Sequence, residues 1–212
     1  MDILPFMTNF ILRVDQTLGP LVQAYGIWIY LIIFVVIFSE TGFVLTPFLP
    51  GDSLLFVAGW LASIGSMNIW LLFIVFSLAA IIGDTVNYFI GKYVGPKLFK
   101  GNHFFKRYMD EAREFYEKHG GKSIVLARFV PFIRTFMPFT AGIGMMNYRR
   151  FLAYNILGGL SWVAIFLAGG YFFGNIPVVK DNLSLVIIII ILITMIPTAI
   201  KFLSTIKRKQ HE

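Results

Sequence analysis

Arg128 and Arg134 lie in the stretch 122–142, two fixed positive charges in an otherwise apolar segment interrupted by Pro131 and Pro138. A guanidinium at membrane depth costs at least about 2.5–3.5 kcal/mol on the mildest scale, so it is retained there for a purpose. Arginine does not shed its proton, and its planar fork matches the oxygens of phosphate and carboxylate. Upstream, residues 40–52 carry Glu40 and Asp52 on either side of the break Pro47-Phe48-Leu49-Pro50-Gly51. Buried cations and buried acids on interrupted apolar segments read as a transport site.

Arg128 and Arg134 are six positions apart, a spacing that shares no face on one regular helix, where neighbours sit at three or four. A break at Pro131 lets both side chains converge from the two arms of a hairpin, and two convergent forks suit a phosphate. The alternative is that they only neutralise Glu40 and Asp52 in a buried network. Two acids against two arginines is close to neutral when empty, and protonating the acids frees the arginines for an anion. A carboxyl held between burial and a neighbouring guanidinium exchanges its proton near neutral pH. Glu40 and Asp52 are therefore candidates for proton coupling, or for static pairing with Arg128 or Arg134, and the two roles are compatible.

Asp84, Asn87 and Tyr88 form a second polar group within Gly83-Asp84-Thr85-Val86-Asn87-Tyr88. Asp84 and Tyr88 share a helical face at spacing four, with Asn87 beside them. They serve either the site directly or hydrogen bonds between helices. The Ser53 and Thr135 hydroxyls lie near the charged residues without an evident activating base. An intramembrane phosphatase or transferase is therefore not expected, and neither is any other enzyme. His103, His119 and His211 fall in the polar linker and the tail, away from the buried charges, so no metal site is expected, and no cofactor.

The elements that must position these residues follow from composition. The 212 residues are 58% hydrophobic and 14% charged, whereas a soluble domain carries roughly 25% charged residues. This is an integral membrane protein, all-α. With no cysteine, a disulfide framework, a thiolate zinc site and an iron–sulfur cluster are excluded. The net charge of +7 sits mainly in one linker and the C-terminal tail, a distribution that membrane topology produces and nucleic-acid binding does not. Residues 1–20 hold Asp2, Arg13 and Asp15 and lack the form of a cleavable signal; they are expected to form an interfacial amphipathic helix.

Apolar runs at 24–39, 69–91, 151–173 and 183–206 each approach the roughly 17–25 residues of a spanning helix. Two further apolar segments, 41–63 and 122–147, contain paired prolines and charges. The linker 92–121 is rich in Lys and Arg and holds a surface helix from about Phe104 to His119, ended by Gly120-Gly121. Placing this linker, Arg149-Arg150 and the basic tail 207–212 in the cytoplasm requires both segments to return to the side they enter. The expected fold is then four transmembrane helices plus two opposed re-entrant hairpins, one in each half (24–91 and 122–206), with both termini cytoplasmic. Short matches support an inverted repeat: Ala58-Gly59 with Ala141-Gly142, and Tyr88-Phe89-Ile90-Gly91 with Tyr171-Phe172-Phe173-Gly174, at one common offset. Thr46-Pro47-Phe48-Leu49 matches Val130-Pro131-Phe132-Ile133 with a one-residue slip. Irregular backbone at such depth must be buried in protein or line a watery cavity, so the two hairpins should face each other.

Residues 48–59 (Phe-Leu-Pro-Gly-Asp-Ser-Leu-Leu-Phe-Val-Ala-Gly), the Gly83–Tyr88 segment, and Phe115-Tyr116-Glu117-Lys118-His119-Gly120-Gly121-Lys122 running on to Arg128-Phe129-Val130-Pro131-Phe132-Ile133-Arg134-Thr135 resemble the bacterial DedA family, also described as SNARE-associated or VTT-type. The resemblance covers nearly the whole chain. It implies four spanning helices with two opposed re-entrant segments in the bacterial cytoplasmic membrane, and a role in envelope maintenance. Several members recycle undecaprenyl phosphate across the bilayer, others resemble phospholipid transporters, and eukaryotic relatives resemble scramblases. The family's functional acids and arginines fall on Glu40, Asp52, Arg128 and Arg134. The leading expectation is a proton-coupled lipid-phosphate flippase whose partners are membrane lipids, a lipid-linked phosphate and protons, without nucleic acid. A homo-oligomer is left open. The alternatives are a phospholipid flippase or scramblase and a proton-coupled ion or solute antiporter.

Overall fold

The computed structural model describes residues 25–43, 51–95, 120–130, 133–144 and 146–177, with 179, 185 and 189. The expected N-terminal helix, most of the linker, both proline breaks, nearly all of the apolar run 183–206 and the basic tail lie outside the described residues. Among the described residues the regular structure is helical and no strand occurs. The elements are α1 (Trp28–Gly42), α2 (Gly51–Ser63), α3 (Ile69–Tyr93), a 3-10 turn (Gly120–Lys122) leading into α4 (Ser123–Ala127), α5 (Ile133–Ile143) and α6 (Tyr148–Phe173).

Two of these helices are long and apolar enough to cross a bilayer: α3 with 25 residues and α6 with 26. At about 1.5 Å per residue each reaches nearly 40 Å, against a hydrocarbon core of about 30 Å. Each starts at an asparagine. Asn68 Oδ1 accepts from the backbone N–H of Trp70 and Leu71, both at 3.0 Å. Asn147 Oδ1 accepts from those of Arg149 and Arg150, at 3.0 and 3.4 Å. These caps satisfy amides that the first turn leaves orphaned. Exposed Ile74, Leu78, Leu157 and Ile165 give both helices an apolar outer surface, which suits lipid and not water.

α2 has 13 residues and α5 has 11, so at about 1.5 Å per residue neither spans the hydrocarbon core. Both are enclosed by protein. Val57 to Ala62 on α2 and Thr135 to Gly142 on α5 are buried without interruption, where a surface helix would bury one stripe. Pro138 lies inside α5; it lacks the N–H that the Arg134 carbonyl would otherwise receive.

Reciprocal glycine contacts hold the short helices to the long ones. A side chain at Gly59 (α2) would run into the backbone of Leu167 and Tyr171 (α6), and one at Gly170 (α6) into the carbonyl of Phe56 (α2). A side chain at Gly142 (α5) would meet the backbone of Tyr88 and Lys92 (α3), and one at Gly91 (α3) the carbonyl of Phe139 (α5). Only a missing Cβ lets these backbones approach so closely. The two crossings have the same pattern. Phe56 and Gly59 stand 83 positions before Phe139 and Gly142, while Tyr88 and Gly91 stand 79 before Leu167 and Gly170. Packing therefore equates Gly91 with Gly170, not with Gly174 as the matching Tyr-Phe-Ile/Phe-Gly letters suggested. The difference of four residues is about one helical turn, so the letter match falls on the right face but one turn away.

Candidate functional site

The site starts at a crossing of two glycines. A Cβ on Gly42, at the end of α1, would lie 3.4 Å from Gly83 Cα on α3. This close approach buries Glu40 and Thr41 beside Asp84. Asn87, fully buried one turn along α3, fixes the junction: its Nδ2 donates to the carbonyl of Thr41 at 3.2 Å and to that of Thr135 at 2.8 Å. Those two peptides directly follow Glu40 and Arg134. Asn87 thus positions both charges without lining the cavity itself.

Arg134, in the first turn of α5, bridges two carboxylates. It pairs with Glu40 on α1 and, through Nη1 at 2.9 Å, with Asp52 Oδ1 on α2. The same Asp52 oxygen accepts from Trp162 Nε1 at 2.9 Å, and the Arg134 guanidinium lies 5.2 Å from the centre of the Trp162 ring. Asp52 stands in the first turn of α2, where the helix dipole favours an anion. Gly51 has no room for a side chain because the Glu40 carboxylate fills that place.

Arg128 follows α4 and makes a different set of contacts. Its Nη2 donates to Asp84 Oδ2 on α3 and, at 2.5 Å, to Asn155 Oδ1 on α6. Asn155 completes the link by donating from Nδ2 to the Ile81 carbonyl at 3.0 Å. The arginine stem lies along Gly158, where a Cβ would sit 3.0 Å from its Cδ. Arg128, Asp84 and Asn155 are all buried, and removing one member of such a pair leaves an uncompensated charge, at a cost of about 3–5 kcal/mol.

Both guanidiniums line one small cavity together with Glu40, Thr41, Asp84, Thr135 and Trp162. It has room for about one water molecule, far less than a phosphate group occupies. Glu40 Oε2 and Arg128 Nε are buried without a hydrogen-bond partner among the described residues. The cluster is charged and incompletely satisfied among the described residues.

The sequence reading brought Glu40 and Asp52 against both arginines. In the structure Arg134 takes both of them, and Arg128 is held by Asp84. Among the described residues the cluster holds three carboxyls to two guanidiniums, one negative charge in excess when all are ionised, where near-neutrality was expected from two acids. Ser53 is buried next to Asp52. Tyr88 stands apart: its hydroxyl donates to the Met146 carbonyl at 2.5 Å and its ring stacks on Phe151 with centroids 4.5 Å apart. Asn155 and Trp162 were missed. The signal for Asn155 was present, a lone amide within the apolar run 151–173, where an unpaired polar group is expensive. Trp162 gave none, because a tryptophan in such a run reads as packing or interface belt.

An apolar helical chain in which buried ion pairs join short, enclosed helices to two helices long enough to cross a bilayer defines a membrane protein with an internal polar site. The VTT domain matches residues 49–172, and this chain belongs to the DedA family of membrane proteins. It is 52% identical over 208 residues to Protein DedA of Escherichia coli strain K12, covering 96% of this chain and 95% of that one. It is 45% identical over 169 residues to the uncharacterized membrane protein ML0287 of Mycobacterium leprae, covering 78% of this chain and 76% of that one. It is also 35% identical over 153 residues to the inner membrane protein YqjA of Escherichia coli strain K12, covering 71% and 70%. No solved structure matches the chain.

Proposed function

We propose that this protein moves a lipid carrying a terminal phosphate across the bacterial cytoplasmic membrane, with undecaprenyl phosphate as the substrate and protons as the coupling ion. The observation that carries this reading is the convergence of Arg128 and Arg134 on one small cavity, Arg128 held by one carboxylate and Arg134 by two. Two planar forks suit a phosphate, and the carboxylates compete with it until protons neutralise them. The cavity is smaller than a headgroup. Binding requires α2 or α5 to shift and release Arg134 from Glu40 or Asp52.

In this reading α2 enters from the outer face and α5 from the cytoplasmic face as re-entrant segments of an inverted repeat. The paired contacts of α2 with α6 and of α3 with α5 support that arrangement. Four helices span, both termini are cytoplasmic, and the lipid tail stays in the bilayer while its headgroup crosses at the midplane.

The test is transport by purified protein in liposomes, followed by leaflet-specific access to labelled undecaprenyl phosphate. The expected result is transfer above empty liposomes that increases with an imposed proton gradient. No transfer by folded protein would remove the reading. Transfer of ordinary phospholipids at equal rates would replace it with a scramblase, and proton-driven flux of a small cation without lipid would replace it with an antiporter.

A further inference from the structure

The two arginines are not held alike. Arg134 is gripped by two carboxylates and covered by the Trp162 ring. Arg128 faces one carboxylate, Asp84, and one neutral amide, Asn155, and its Nε has no hydrogen-bond partner among the described residues. Asp84 is the acid beyond the four residues on which the family's functional acids and arginines fall, and when ionised it makes the cluster negative by one charge. We propose that Asp84 is the resting counter-anion of Arg128: it occupies the guanidinium until a phosphate displaces it, and takes up one proton as it lets go. The proposal rests on the lipid-phosphate reading for the identity of the displacing anion.

The charge balance is explicit. With every group ionised, Glu40, Asp52 and Asp84 oppose Arg128 and Arg134 and leave one net negative charge. A monoanionic phosphate brings one more. If a proton from water forms an O–H bond on the Asp84 carboxylate, the cluster returns to its resting charge. Arg128 exchanges one anionic partner for another and is never left unpaired in the low-dielectric interior. The groups facing Asp84 are Arg128 at the end of α4, Asn155 on α6, and across the cavity Glu40 on α1 and Arg134 on α5. Arg134 is already engaged by Glu40 and Asp52, which leaves Arg128 as the guanidinium that answers to Asp84. Position favours the exchange too. Arg128 sits at the end of the short α4, before the proline break, whereas Asp84 and Asn155 sit on the two spanning helices. Releasing Asp84 therefore leaves the Arg128 guanidinium tied to the frame through the neutral Asn155 amide.

The experiment uses full-length protein in detergent, labelled with phenylglyoxal, with modified arginines located by mass spectrometry. Asp84→Asn keeps the shape and removes the charge. Arg128 should label about tenfold faster, as expected when a charge-assisted hydrogen bond is weakened, while Arg134 labels at its former rate. Asn155→Asp is the opposite variant: it clamps Arg128 between two carboxylates, and labelling should slow. A second arm titrates farnesyl monophosphate. In the wild type its affinity should rise by up to about tenfold per unit fall in pH, as for one linked proton, and in Asp84→Asn that dependence should flatten at the tight-binding end.

Equal Arg128 labelling in wild type and a monodisperse Asp84→Asn protein would overturn the proposal, and so would Asp84→Asn binding farnesyl phosphate more weakly at every pH. If labelling changes as expected but neither protein binds farnesyl phosphate, the counter-anion role stands and the lipid-phosphate reading falls. Protection of Arg128 by inorganic phosphate alone would then mark free phosphate as the ligand.

Discussion

The Asp52 Oδ1 atom accepts from Arg134 Nη1 and from Trp162 Nε1, each at 2.9 Å. The Arg134 guanidinium also rests on the Trp162 ring, so the three side chains close on one another. They come from α2, α5 and α6. One carboxylate oxygen therefore joins both short helices to a long one, and any movement of α2 against α5 has to break that joint.

Arg134→Lys should leave folded protein in normal yield yet weaken binding of a polyprenyl phosphate by about tenfold or more, because one ammonium reproduces neither the double pairing nor the ring contact. Equilibrium binding in detergent measures this. Undiminished affinity would mean that Arg134 serves only to neutralise Glu40 and Asp52.

Trp162→Phe separates two contributions. The phenyl ring still covers the guanidinium, but the N–H to Asp52 is lost. A hydrogen bond to a charged acceptor contributes about 1.5–3 kcal/mol, so thermal stability in detergent should drop measurably and transport several-fold. Trp162→Ala should lose more on both readouts. If phenylalanine behaves as the wild type does, the hydrogen bond to Asp52 is dispensable.

Asp52→Asn addresses pH. Full ionisation leaves the wild-type cluster with an excess negative charge, which opposes an incoming anion, and protonation removes it. Wild-type transport should therefore decline as pH rises. The asparagine variant is neutral with no proton bound, and its oxygen still accepts from Trp162, so its alkaline decline should be shallower while binding is partly kept. Parallel profiles for the two proteins, measured by liposome transfer over a pH series, would exclude Asp52 from the proton-sensitive step.

Much of this arrangement was legible in the sequence. Arginine, aspartate and glutamate in apolar surroundings mark a site because their burial is costly, and of the four apolar runs 69–91 and 151–173 became α3 and α6. Partner choice was not legible. Whether Arg128 meets Asp52 or Asp84 depends on which helices cross, and the crossings are set by glycines whose role appears only when two backbones touch. Gly42 against Gly83 decides the depth of Glu40, and Gly158 decides where the Arg128 stem lies. Asp84 and Tyr88 share a helical face as their spacing implied, yet α3 meets both Asn155, the amide that also holds Arg128, and the aromatic Phe151 on α6. Only Asp84 reaches the charges.

Neighbouring glycines on α6 give a sharper test of the crossings. A Cβ on Gly170 would overlap the Phe56 carbonyl, whereas one on Gly169 meets only the edge of the Phe56 ring, at 3.9 Å. Backbone atoms of α2 cannot retreat without moving the helix that carries Asp52. Gly170→Ala should therefore destabilise the protein by about 1–3 kcal/mol, the usual range for forced overpacking, and should lower transport by disturbing the Asp52–Arg134 joint. Gly169→Ala, with an ordinary van der Waals contact, should be tolerated or slightly stabilising, since alanine favours helix over glycine by up to about 1 kcal/mol. Melting temperature and transfer rate compared for the two variants decide the matter. Equal effects of the two alanines would show that α2 and α6 do not cross as closely as the Phe56–Gly170 contact requires.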